Sequence, residues 1–343
     1  MAYSNIKDPS EHFNTVLYTG DGSADQSMTG VGFKPDFLWI KRRNASERHV
    51  LTNVQMGASS GAYKWLDSSD VSAEFSGGTG VASFDSDGFT IKTSDSTWNT
   101  NSSTYVFWSW KLNGGTTATN SDGSTDTTVQ ANTTSGVSVV TFTTDGGNET
   151  YGHGLGVKPD IVIVKSRSGG GSWIYMTDVI DGSVDYLLLN GTNAAADLSY
   201  GAFTSSTFQY NDNNAVTQIA YCFAEKQGYS KFGKYVGNGS SNGTFVYTGF
   251  APAWVMIKDT SQATNWEIFD VKRNPSNVRN LKLGANLAVA ENGSDLGTTS
   301  QNNIDILSNG FKMRTGNTDT NVSGDVYVFV AFAENPFVTS SGV

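Results

Sequence analysis

Short apolar runs separated by stretches rich in Gly, Ser, Thr and Asn dominate the chain, and two kinds of run recur. The runs FLWI (37–40), IVIV (161–164) and WVMI (254–257) show no polar alternation, which predicts strands covered on both faces, as at the centre of a sandwich. The runs FTIK (89–92) and FKMR (311–314) alternate, which predicts strands with one wet face. No stretch holds a sustained helical period with caps; residues 285–289 have the composition for one helical turn at most. The pattern predicts an all-β protein.

These runs belong to a longer repeat. A proline precedes a lysine by six residues three times, at Pro35 and Lys41, Pro159 and Lys165, Pro252 and Lys258. Eight residues past each lysine stands His49, Trp173 or Trp266, opening HVLTNV, WIYMTDV and WEIFDV. Upstream, YTGDG, TFTTDGG and YVGNG give Gly-rich hairpin signals. The first and third copies also close alike, since 17 residues separate Gly88 from Tyr105 and Gly310 from Tyr327. Repetition at this scale signals repeated supersecondary units. The proline sits at the strand entrance, where its missing N–H is tolerated. The expected architecture is three related β-sandwich-like repeat units, with units two and three fused into one compound domain.

Composition sets the boundaries. Residues 113–135 are poor in apolar side chains and read as a loop or linker. The expected organisation is an extended N-terminal arm (1–12), unit one (13–113), a Thr/Ser/Gly-rich linker (114–136), unit two (137–228) and unit three (229–338). Hydrophobic residues make up 37% of the 343 and aromatics 12%, enough to build a core, while charged residues are only 16%. The net charge of −10 disfavours a nucleic-acid partner, which requires clustered Lys and Arg. The one dense basic cluster, Lys41, Arg42, Arg43 and Arg48, reads as a solvated strand end. No run approaches the length of a membrane span and the start lacks a secretion signal, so no membrane insertion is expected.

Candidate chemistry is sparse. Cys222, the single cysteine, lies in the apolar run IAYCFA and reads as a buried, inert thiol. His12, His49 and His153 are scattered, and no metal, nucleophile-elbow or phosphate-loop motif occurs. The nearest carboxylate pairs, Asp67 with Asp70, Asp85 with Asp87 and Asp178 with Asp181, lie among Ser and Gly and read as turn chemistry. The expectation is therefore no catalytic residue, no metal and no cofactor; the weaker alternative is a lectin-like Ca²⁺ site on the oxygens of these carboxylates, although the spaced Asp/Asn loop with its terminal Glu is absent. Aromatic side chains stack on sugar rings. Trp98, flanked by polar loop residues, and Tyr63 and Trp65, in a loop-rich segment, are the candidate exposed ligand contacts.

Nearly the whole chain carries a resemblance. The stretches VGFKPDFLWIKRRN, GHGLGVKPDIVIVKSRSG, AYCFAEKQGYSKFGKYVGNG and the closing AFAENPF resemble a family of repeat-containing virion proteins of tailed bacteriophages, common among marine phages and described as tail-fibre or tail-associated structural proteins. One departure is TNVQMG (52–57), where that family often shows an Asp-Ser-Val-Arg-Gly-like element. The resemblance implies a place, the virion, assembled in the host cytoplasm and exposed on the particle. It implies a non-enzymatic tail fibre, knob or capsid-decorating protein acting in host attachment or surface architecture. The implied partners are other virion proteins, reached through the N-terminal arm, and a host surface glycan or receptor. A homotrimer is expected from the symmetry of virion appendages. The alternatives are a virion-associated glycan depolymerase and a carbohydrate-binding module.

Overall fold

The computed structural model describes residues 4–212, 214–296, 301–316 and 319–336. It is all-β: antiparallel strands and turns, with single-turn 3-10 segments at Pro9–Glu11, Val54–Met56 and Ser294–Leu296. Residues 285–289 form no helix. Among the described residues no helix is long and apolar enough to cross a membrane.

Three large sheets carry the same strand order. The first runs Phe13–Thr19, Thr104–Trp110, Phe37–Arg42, His49–Asn53, Trp65–Asp67. The third runs Ser230–Val236, Val326–Pro336, Phe250–Asp259, Glu267–Asp270, Leu283–Gly284. The second has Val137–Thr143, Thr217–Phe223, Ile161–Ser166, Ile174–Thr177 and Asp185–Leu188 in that order, and is extended at both edges. In each, the closing strand lies between the opening strand and the strand next to the proline; Pro35 and Pro159 precede that strand, whereas Pro252 lies inside Phe250–Asp259 at a shift of register and not at its entrance. A smaller sheet accompanies each large one: Gln26–Met28, Gly88–Ile91 and Val81–Asp85; Glu149–Gly152 with Thr207–Tyr210; Phe245–Tyr247, Gly310–Met313 and Ile304–Leu307. Gly88 and Gly310 hold the same place in two small sheets, and a Cβ there would lie 1.9 Å from the Met28 carbonyl oxygen or 2.1 Å from that of Val246. Only glycine permits that approach.

The unalternated apolar runs follow from two buried faces. Leu38 and Ile40 pack with Phe89, Ile91 and Phe107 under the first small sheet, while Phe37 and Trp39 point to the opposite side. Val162 and Val164 against Ile161 and Ile163, and Val255 and Ile257 against Trp254 and Met256, divide likewise, as the two-residue pleat requires. The inward faces of all three large sheets meet in one shared core. There Phe37 packs on Tyr221 with ring centroids 4.7 Å apart, Tyr175 on Trp266 at 4.9 Å, and Trp110 on Trp254 at 6.3 Å. Burying each such side chain contributes about 1.5–3 kcal/mol. A cavity of about 30 Å³ remains among Phe37, Trp39, Tyr221, Trp254, Met256 and Phe332; its aromatic and aliphatic walls make it a packing gap and not a polar site.

Two expected boundaries differ from the structure. Within the expected linker 114–136, Ala118–Asn120 and Thr127–Asn132 are strands, and Thr127–Asn132 pairs with Val137–Thr143 to extend the second sheet. The arm is not extended over its described residues. Ile6 is buried in the shared core, Pro9 is buried, and His12 meets Tyr229 edge-on at 5.9 Å.

Candidate functional site

Several buried polar groups near the shared core tie one repeat to the next. The indole Nε1 of Trp173 donates to the Asp67 carbonyl at 2.7 Å, and that of Trp266 donates to the Leu188 carbonyl at 2.9 Å. At the third seam the Ser68 hydroxyl donates to the Ala285 carbonyl at 2.7 Å. Backbone bonds run alongside: Gly171 N–H to Val71, Ala195 N–H to Thr260, Glu47 N–H to Ala288. The contacts therefore close a cycle, second repeat on first, third on second, first on third.

Two members of the basic cluster, Lys41 and Arg43, are absorbed into this cycle and are not a solvated strand end, while Arg42 and Arg48 make their contacts within the first repeat. Lys41 is buried and donates to the Glu47 and Ala288 carbonyls at 2.6 and 3.2 Å. Arg43 pairs with Glu291 at 2.9 Å, and Glu291 in turn accepts from the buried Arg273, itself paired with Asp270. Arg48 stacks 4.6 Å from the Phe75 ring. Opposite charges compensate the cost of burying Arg43 and Arg273, whereas the carbonyl acceptors offset only part of that cost at Lys41.

The aromatic residues singled out in the sequence fall inside the first repeat. Trp98 is fully buried and Trp65 is 6% exposed, and the two rings meet edge-on at 5.8 Å. Tyr63 is half-buried with its ring 4.8 Å from Phe84. Trp65 and Trp98 are thus core residues and not exposed ligand contacts, because the polar turns around them fold over a hydrophobic interior. The acidic pairs take up turn roles. Asp67 accepts from the Ser69 N–H at 2.9 Å and Asp87 from the Gly32 N–H at 2.6 Å, while Asp178 pairs with Lys158. Cys222 is buried beside Ser138 and burial pushes its thiol up to about 12. His49 and His153 are buried, and burial pushes both below the ordinary imidazole range. The three histidines sit in separate surroundings and assemble no catalytic group.

A surface groove of about 410 Å³ on the second repeat brings aromatic, amide and carboxylate side chains together. The half-buried Tyr186 and Tyr200 line it together with Ile174, Asp197 and Asn211, and Tyr210, which also borders it, is only 8% exposed and belongs to the second repeat's own core. Tyr186 comes from Asp185–Leu188 and Asp197 from the neighbouring Ala196–Asp197, while Tyr210 ends a strand of the small sheet, Thr207–Tyr210. The Tyr200 hydroxyl donates to the Asn211 carbonyl at 3.2 Å, tying two walls together. Burial, then the nearby Asp212 and Tyr186, raises the Tyr200 phenol above its ordinary range, so it stays a neutral donor. Aromatic faces beside an amide and a carboxylate suit a polyhydroxylated ligand, which offers C–H faces to rings and hydroxyls to polar groups. The sequence signal for these residues is a tyrosine flanked by polar residues, as in STFQYNDN and LSYGA.

One group of carboxylates is close enough to share a cation. Oxygens of Asp181, Asp185 and Asp197 lie within 4.8 Å of one another, the one such group among the described residues. Burial, then the facing Asp181 and Asp197, pushes the Asp185 carboxyl up to about 6.

No curated protein and no solved structure matches this chain. A family model does, over residues 8–336, and its description is a domain of unknown function, DUF7483. The match spans almost the whole repeat array, so the chain belongs to the DUF7483 family.

Proposed function

We propose that this chain is a non-enzymatic surface protein of a tailed-phage particle, a tail-fibre head or capsid-decorating block that serves attachment or surface architecture. The observation that carries the reading is the closed cycle of three sheets on one aromatic core, in which buried polar groups tie repeat to repeat and not to a reacting centre. Such a scaffold holds exposed loops in fixed positions, which is what a contact surface requires. The sequence resemblance to virion proteins supports the location, and the tyrosine-lined groove supports a host glycan as ligand.

Attachment to other virion proteins belongs to the same proposal. With Ile6 and Pro9 committed to the core, the described arm offers Lys7, Ser10 and Glu11 on its exposed side. The homotrimer is also part of it. A mass three times 36.6 kDa by light scattering supports the trimer, and 36.6 kDa replaces it with a monomer whose three repeats supply the cycle.

Immunogold labelling of phage particles carrying the gene tests the location. Gold on capsid or tail supports the reading, and unlabelled particles overturn it. Purified protein is expected to reduce phage adsorption to host cells if the role is attachment. Release of reducing ends from host surface polysaccharide would instead support the depolymerase.

A further inference from the structure

The edge of the second sheet carries an unresolved charge problem. Asp185, on Asp185–Leu188, stands directly opposite Asp197, on Ala196–Asp197, in an antiparallel pair. Like charges in that register destabilise a sheet. Asp181 joins them from the preceding turn, where its Oδ1 accepts from the Ser183 N–H at 2.8 Å and hydroxyl at 2.6 Å. Among the described residues none of the three carboxylates is in an ion pair. Lys234, whose charge acts on Asp181, is bonded to the Ile180 carbonyl.

A second observation singles out Asp185. Its side chain belongs to a residue only 3% exposed, and its buried Oδ2 has no hydrogen-bond donor. A buried anion left without a donor costs far more than an exposed one. An oxygen of the same carboxyl lies within 4.8 Å of oxygens of both other carboxylates, so a cation arriving among the three would satisfy it.

We propose that Asp181, Asp185 and Asp197 form a Ca²⁺ site on the second repeat, in place of the expectation that the chain holds no metal. Two oxygens bound to one Ca²⁺ at about 2.4 Å are at most about 4.8 Å apart, and oxygens of these three carboxylates all lie within that distance of one another. The donor set is all oxygen, which excludes the imidazole and thiolate preferences of zinc and copper. Two of the three residues are exposed, so water completes the seven or so ligands that Ca²⁺ takes in an irregular shell. Mg²⁺ demands near-ideal octahedral geometry at shorter distance, and a sheet edge plus a turn does not enforce that.

The test is calorimetric titration of the full chain with CaCl₂, with terbium luminescence sensitised by the neighbouring tyrosines as a second readout. One site per chain is expected, with a Kd of about 0.1–1 mM, the range of weak extracellular modules. The unfolding temperature is expected to rise by a few degrees at about 10 mM Ca²⁺. Asp185→Asn and Asp197→Asn are each expected to weaken binding at least tenfold, while Asp25→Asn, on an unrelated exposed turn, leaves it unchanged. Circular dichroism of Asp181→Asn, whose side chain is on the surface, secures the comparison if the buried variant misfolds. Absence of saturable binding overturns the site, as does binding that survives in the Asp185→Asn, Asp197→Asn double variant. An equal response to Mg²⁺ overturns the assignment to calcium. The site stands whether or not the adjoining groove takes a glycan.

Discussion

Lys41, Lys165 and Lys258 occupy the same position in the three repeats, and all three are buried. Burial is the main cause that pushes their ammonium groups down, to about 7 for Lys41 and about 8 for the other two. The direction fixes a pH dependence. The folded state favours neutral Lys41, whereas an unfolded chain keeps the ordinary value of 10.5, so between about pH 7 and 10.5 the unfolded state binds more protons. The stability of the wild type therefore rises with pH across that window through this group, and the burial penalty is fully present below it. Lys41→Met keeps the stem and removes the titration. Urea melts across the window are expected to show the wild type gaining on Lys41→Met by on the order of a few kcal/mol as pH rises. Parallel curves would show that Lys41 keeps its ordinary affinity for protons. The spacing of this lysine was legible in the sequence, but its surroundings were not. Its second acceptor, the Ala288 carbonyl, lies 247 residues away, and local composition shows only a basic strand end. Trp98 misleads for the same reason. Its polar neighbours form a turn, while its indole lies in the core and its carbonyl accepts from the Tyr18 hydroxyl, 80 residues distant.

Strands with an apolar run were the elements most easily read, because both faces of FLWI, IVIV and WVMI are covered and their composition says so. The strand Thr127–Asn132 escaped because only part of it is apolar. Val129 is buried in the second repeat's own core, but its neighbours are Thr, Gln and Asn. Its Gln130 is fully buried, and the Nε2 donates at 2.8 Å to Asp36 Oδ1 of the first repeat. Asp36 also accepts from the Leu112 N–H at 2.7 Å and the Gly114 N–H at 3.1 Å, so it gathers the exit of the first repeat and the entry of the second. Hydrogen bonds to a charged group are worth about 1.5–3 kcal/mol. Gln130→Ala is expected to lower unfolding free energy by about that much in denaturant melts, whereas a substitution in a solvated linker changes it by less than about 0.5 kcal/mol. The acidic trio was hidden in a comparable way. Asp185 and Asp197 are 12 positions apart and meet only through the register of two strands, which no spacing rule reports.

At the scale of the whole molecule, the sequence repeat suggests modules joined in series, and the structure joins them around one interior. Each large sheet gives one face to its own small sheet and the other to the shared core. A repeat standing alone would expose that second face. For the first repeat alone this means Phe37, Trp39, Trp108 and Trp110, all at most 4% exposed in the full chain. At about 1.5–3 kcal/mol for each large side chain, the loss is comparable with the entire 5–15 kcal/mol that holds a typical domain folded. The seams add to this, since the indoles of Trp173 and Trp266 and the Arg43–Glu291–Arg273 chain find their partners only across repeats. The expected consequence is cooperative unfolding of the full chain as one body. Scanning calorimetry should give a single peak whose calorimetric and van't Hoff enthalpies agree, and tryptophan near-ultraviolet dichroism should vanish at the same temperature. Three resolved transitions would show that the repeats are stable without one another and that the central aromatic cluster contributes little to holding them. A single transition would mean that a contact made on any one repeat is felt by the other two, because none can loosen without uncovering the interior they share.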